Sequence, residues 1–169
     1  MTTTHCQVCG REIRSASGLI AYHGYHGGWG GWKIGDSCPG ARHLPYEISS
    51  DRLQPTIDAA TRYLENACEV LENFFVNPPD SYTGHYGGES YTVTRPTDFD
   101  PRRPRGAGIL RSYAAHFTRQ LAPLNREVRM TEANVDYMRR RLIEWRAPND
   151  NTRGKLQHSA PYKQNLKTP

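Results

Sequence analysis

The chain has no run of about 18 apolar residues, so an ordinary membrane-spanning helix is not available to it. Its opening, MTTTHCQVC, lacks the apolar core of a secretory signal. Large core-forming side chains are scarce: four Phe, three Met and three Trp in 169 residues. An apolar fraction of 36% predicts a thin, elongated core with much exposed surface. Cysteine is scarce too. With only four, two of them spaced as Cys6-x2-Cys9, metal binding in a reducing compartment is a better account than a disulfide framework. These absences predict a soluble protein of the cytoplasm.

Catalytic signatures are also missing. There is no HExxH helix, GxSxG elbow or P-loop, and no deaminase pairing of His-x-Glu with Pro-Cys-x-x-Cys. The glycine-rich His26–Trp32 is followed by neither Gly-Lys-Ser/Thr nor a helix start, so it is not a phosphate loop. A metal-dependent nuclease stays a remote alternative, because His23-Gly-Tyr-His26 lies in a glycine-rich loop instead of a finger helix. The expectation is no enzyme.

What the chain does have is a metal-ligand spacing. Cys6-x2-Cys9-x13-His23-x14-Cys38 offers three thiolates and one imidazole, the closed tetrahedral set that structural zinc prefers. The intervening segment is too glycine-rich to be ordered by packing alone. Ligation supplying on the order of 10 kcal/mol can order it. Gly10 suits the turn after the CxxC pair. His26 competes with His23 for the fourth position, and His23 wins on the pattern. Cys68 falls in a helical pattern and reads as a small packed residue. The stretch from Arg11 to Tyr22 reads as a short β-hairpin leading into His23.

Beyond the module, periodicity predicts two helices. Leu53, Ile57, Ala60, Leu64, Ala67, Leu71 and Phe74 alternate in steps of four and three, and Asn77-Pro78-Pro79 stops the run. Asp51-x-x-Gln54 resembles a capping box at its start. The second stretch, from about Ala107 to Arg146, carries a seam through Leu121, Leu124, Val128, Val135, Met138 and Leu142, with Pro123 expected to kink or divide it. Between them Tyr82–Arg95 reads as two strands about Gly87-Gly88. The expected fold is therefore mainly α with small β. Residues 1–48 form a zinc-knuckle and β-hairpin module, and 49–146 a long antiparallel, coiled-coil-like helical hairpin with a β-hairpin inserted at about 80–96. The polar, basic tail 147–169 is expected to be flexible unless something holds it.

The net charge is +5, but it is unevenly placed: residues 51–76 carry −3 and 101–146 carry +7. Opposite signs on the two helices can serve one another, which accounts for part of the basic surplus. The topology returns the second helix toward the metal module. Arg139, Arg140, Arg141 and Trp145 are thus expected to gather near the zinc with Trp29 and Trp32, the candidate binding groups of the chain. Trp29 and Trp32 either cap the module or pack on the helices, or they form a flat aromatic platform for a partner or a stacked base. Stacking with arginine on phosphate would suit DNA or RNA.

The strings Cys6-x2-Cys9-Gly10-Arg11-x-Ile13, Gly18-x-Ile20-Ala21-x-His23-Gly24-Tyr25, Ser37-Cys38-x-Gly40 and Pro45-Tyr46-Glu47 resemble small zinc-finger proteins encoded by bacteriophages and prophages. The likeness covers residues 6–53 by motif and the remainder by helical layout only. It implies a phage accessory protein in a bacterial host cytoplasm, with Cys6, Cys9, His23 and Cys38 as ligands, and no particular activity. The expected function is a non-enzymatic, zinc-stabilised adaptor. It would dock on a host or phage protein complex, as an inhibitor of a host process or defence system, with nucleic-acid binding as the alternative. Homo-oligomerisation is open, because a Leu- and Met-lined seam can pair within the chain or with a second copy.

Overall fold

A computed structural model of the chain describes residues 2–15, 18–26, 33–109 and 111–146. It is mainly helical with small β-structure. The elements are β1 (Thr2–His5), β2 (Glu12–Ser15), β3 (Gly24–His26), β4 (Lys33–Ser37), α1 (Leu53–Val76), β5 (Ser81–Tyr86), β6 (Glu89–Thr94) and α2 (Tyr113–Glu144). Among the described residues no helix is long and apolar enough to cross a membrane. The chain divides into two units, one formed by the described parts of Met1–Thr61 and Glu132–Pro169, the other by Arg62–Thr131.

In the first unit the β-branched Thr2-Thr3-Thr4 run favours an extended strand. It forms β1 and pairs antiparallel with β2, from Thr2 opposite Ser15 to His5 opposite Glu12. The hairpin expected within Arg11–Tyr22 is therefore replaced. β2 takes the earlier strand as partner, and Ile20 instead exchanges backbone bonds with Arg42 (2.7 Å) and His43 (2.9 Å). β3 pairs with β4. The core of this unit joins Val8, Ile20 and the cysteines to Leu53 and Ile57 of α1 and Val135 and Met138 of α2.

The start of α1 differs from the capping-box expectation. Gln7, fully buried in the knuckle, reaches across and accepts the Arg52 amide on its Oε1 at 2.9 Å. Its Nε2 donates to the Leu44 carbonyl (2.7 Å) and to Asp51 Oδ1 (2.9 Å). Asp51 also accepts from the Ser49 hydroxyl at 2.6 Å, so its carboxylate serves the junction and not the Gln54 amide. A glutamine distant in sequence thus satisfies a helix-start donor that a local side chain usually takes.

The second unit is built around aromatic rings. Phe74 of α1 stacks on Phe117 of α2 at 4.8 Å, and Phe99, between β6 and α2, meets Tyr113 at 4.7 Å and Phe117 at 5.1 Å. Tyr82 of β5 completes the cluster against Tyr113. β5 and β6 pair in full register, Ser81 opposite Thr94 through Tyr86 opposite Glu89. Gly87 (φ 61°) and Gly88 (φ 85°) turn the hairpin, since two successive positive φ angles are what a two-residue loop needs. The helices run in opposite directions here, because Tyr63 meets Glu127 while Phe74 meets Phe117.

α2 begins at Tyr113, later than the Ala107 that periodicity suggests. Ser112 caps it, its Oγ accepting the Ala115 amide at 3.0 Å. The helix then runs through Pro123 as one element. Pro123 is exposed, so water can solvate the carbonyl that its ring leaves without an amide.

Candidate metal centre

The sulfurs of Cys6, Cys9 and Cys38 and one imidazole nitrogen of His23 all lie within 4.8 Å of one another. Cys6 Sγ and Cys38 Sγ are 3.7 Å apart, and Cys9 Sγ is 3.3 Å from His23 Nε2. A tetrahedral ion with metal–sulfur bonds of about 2.3 Å and a metal–nitrogen bond of about 2.0 Å needs edges of about 3.8 and 3.5 Å. The group fits. His23 presents Nε2 because its Nδ1 is engaged with the Ala21 carbonyl at 2.8 Å, an outer contact that fixes ring orientation and tautomer.

Local backbone explains the convergence. Gly10, at φ 69°, closes the Cys6–Cys9 turn and donates its amide to the Cys6 carbonyl at 3.0 Å. The Cys6 amide donates in turn to the Arg11 carbonyl (2.9 Å). On the opposite side the Cys38 amide bonds the His23 carbonyl at 2.9 Å, coupling the two later ligands directly. Gly40 leaves room for sulfur: a Cβ there would fall 2.4 Å from Cys6 Sγ. The three cysteines are buried, and none is joined in a disulfide.

The thiols alone are a poorly balanced set. Hydrogen bonds from Cys38 and Cys6 hold Cys9 well below the ordinary thiol range, as a thiolate. Cys38 is pushed far up by its hydrogen bonds with Cys6 and Cys9, and further by burial. At Cys6 the contact with Cys38 favours the thiolate, but Cys9 and burial outweigh it, and the net direction of the pKa is up. Three buried sulfurs cannot all carry charge without a cation between them. A dication removes that conflict and lets all three ionise.

Comparison with protein-family models, with curated proteins and with solved structures finds no match.

The arginines and tryptophan expected near the centre fall into two classes. Arg141 donates from Nε to the Gln7 carbonyl (3.1 Å) and from Nη2 to the Cys6 carbonyl (3.2 Å). Its guanidinium lies 3.8 Å from the Tyr46 ring centroid and 5.6 Å from that of Tyr137. Trp145 donates its indole N–H to the Tyr46 carbonyl at 2.8 Å. Both are engaged within the first unit. Arg139 and Arg140 are exposed, Arg139 standing 3.8 Å from Asp136. Trp29 and Trp32 lie outside the described residues.

Tyr46, outside the expected site residues, links the knuckle's base to α2. Its hydroxyl donates to the Arg141 carbonyl at 2.6 Å, and its carbonyl receives Trp145. Glu47 beside it accepts the His5 amide on both oxygens at 3.1 Å. The compact Pro45-Tyr46-Glu47 string was the available signal: a rigid turn carrying one long aromatic donor and one carboxylate.

Proposed function

We infer that Cys6, Cys9, His23 and Cys38 hold a structural zinc, and that the protein is a non-enzymatic, zinc-stabilised adaptor for another protein. The observation that carries this reading is the closed donor set: four ligand atoms within 4.8 Å of one another, three of them buried sulfurs. Such a set leaves no coordination position for a substrate or an activated water, so the ion stabilises the fold instead of doing chemistry. Arg141, Tyr46 and Trp145 then join the metal module to the end of α2.

Protein is favoured over nucleic acid as the target by the charge of the body. Residues 1–146 hold 18 Lys and Arg against 16 Asp and Glu, so +3 of the net +5 belongs to residues 147–169. Phosphate binding draws on concentrated positive charge, and Arg141 is already engaged with the knuckle carbonyls. A small phage-encoded accessory protein that docks on a host complex suits both the resemblance of residues 6–53 and this balance.

Two measurements test the reading. Elemental analysis of the purified chain should find one zinc per polypeptide, lost on Cys9→Ala; no bound transition metal would refute the structural-ion half. Tagged protein captured from nuclease-treated host lysate should retain a defined stoichiometric partner. Loss of all partners on nuclease treatment, together with salt-steep binding to mixed-sequence DNA or RNA, would turn the assignment to nucleic acid.

A further inference from the structure

We propose that the second unit carries a self-association surface, on which the paired helices of one chain pack against those of a second copy. Along α1 no residue after Ile57 is buried, and along α2 none from Thr118 to Met130. The apolar seam in this stretch, including Leu64 and Leu71 of α1 and Leu124 and Val128 of α2, is partly exposed along its whole length. Val70 is 54% exposed on the same unit. Two helices have too little surface to enclose a seam between them, and a four-helix arrangement is the usual remedy.

Charge identifies the occupant. Arg62–Val76 holds Glu65, Glu69 and Glu72 against Arg62, whereas Tyr113–Thr131 holds Arg119, Arg126 and Arg129 against Glu127. Among the described residues none of Glu65, Glu69, Arg119, Arg126 or Arg129 takes part in an ion pair. One helix is therefore acidic, the other basic, and most of these groups have no ion-pair partner among the described residues. A surface with one acidic and one basic ridge is complementary to itself. A two-fold axis running along the helices lays α1 of one copy on α2 of the other, antiparallel, and does so twice. A second copy completes the cover of the seam and satisfies both ridges.

The test uses the full chain. Sedimentation and light scattering should give twice the 19.2 kDa chain mass at micromolar concentration, falling toward that mass as salt is raised. Two variants at exposed positions separate the mechanism from misfolding: Glu65→Arg with Glu69→Arg, and Arg126→Glu with Arg129→Glu. Each alone should weaken self-association at least about tenfold while keeping native circular dichroism and metal content. Mixed together they should form a one-to-one heterodimer, because the swapped ridges again oppose unlike charge. A native chain that stays at 19.2 kDa up to about 100 μM would overturn the proposal, as would charge-swapped chains that self-associate as well as the native one.

Discussion

Replacing Arg141 by Met keeps most of the side chain's volume and removes its charge and its donors. The Gln7 carbonyl then loses the guanidinium that satisfies it at 3.1 Å within a fully buried residue, a charged bond contributing about 2 kcal/mol. The Cys6 carbonyl loses a second bond at 3.2 Å but keeps the Gly10 amide, so about 1 kcal/mol is at stake there. Stacking on Tyr46 at 3.8 Å adds about 1 kcal/mol. The expected loss is about 4 kcal/mol, or about 12 °C in Tm for a chain of this size. Arg141→Lys should recover about half, because an ammonium reaches one carbonyl but lacks the planar fork. Urea and thermal melts at fixed zinc concentration measure this, with Arg139→Ala and Arg140→Ala as exposed controls expected within about 0.5 kcal/mol of native. An Arg141→Met chain that melts with the controls would refute the clamp.

Further outcomes follow from the same geometry. Gly10→Ala should cost about 2–3 kcal/mol in urea melts, because φ 69° is left-handed and the new Cβ would sit 1.9 Å from the Tyr137 hydroxyl. Tyr137→Phe in the same chain should restore part of the loss, and a strictly additive double mutant would contradict the contact. Chelation, or Cys38→Ser, should unfold the first unit, seen as lost protection of the Cys6–Gly10 amides in hydrogen exchange; unchanged protection would contradict a folding role for the metal. Burial, reinforced by the neighbouring Tyr113, pushes the Tyr82 phenol up, so the folded chain keeps a proton that the unfolded chain releases above about pH 10. Stability should therefore fall as pH rises past about 10, and Tyr82→Phe should flatten that fall; an unaltered pH profile would exclude Tyr82 as its source.

The parts of this fold that were legible in the sequence are those set by local chemistry. Three cysteines and a histidine at knuckle spacing come together as expected, and two successive glycines mark the β5–β6 turn. The heptad seam locates α1 within two residues of its start at Leu53. What escaped was settled by distant partners. Thr2-Thr3-Thr4 has strand propensity but no visible mate until β2 is placed beside it. Gln7 looks like a spacer inside the CxxC pair, yet it caps a helix 45 residues away. Arg141 looks like any basic residue in a run of three. Its neighbours Arg139 and Arg140 differ from it only in the direction they face on α2. Periodicity places a residue on a helix face but does not say which backbone carbonyl waits there.

The clamp between Arg141 and the knuckle also imposes an order of events during synthesis. Cys6 leaves the ribosome well over a hundred residues before the guanidinium that will hold its carbonyl. At the ordinary 5–20 residues per second the delay is roughly 7–27 s. Through that interval the nascent thiols have neither their arginine nor the Val135 and Met138 side chains that later cover them. Early ion capture would protect them from oxidation, and a chain starved of metal should be most vulnerable while it is still being made.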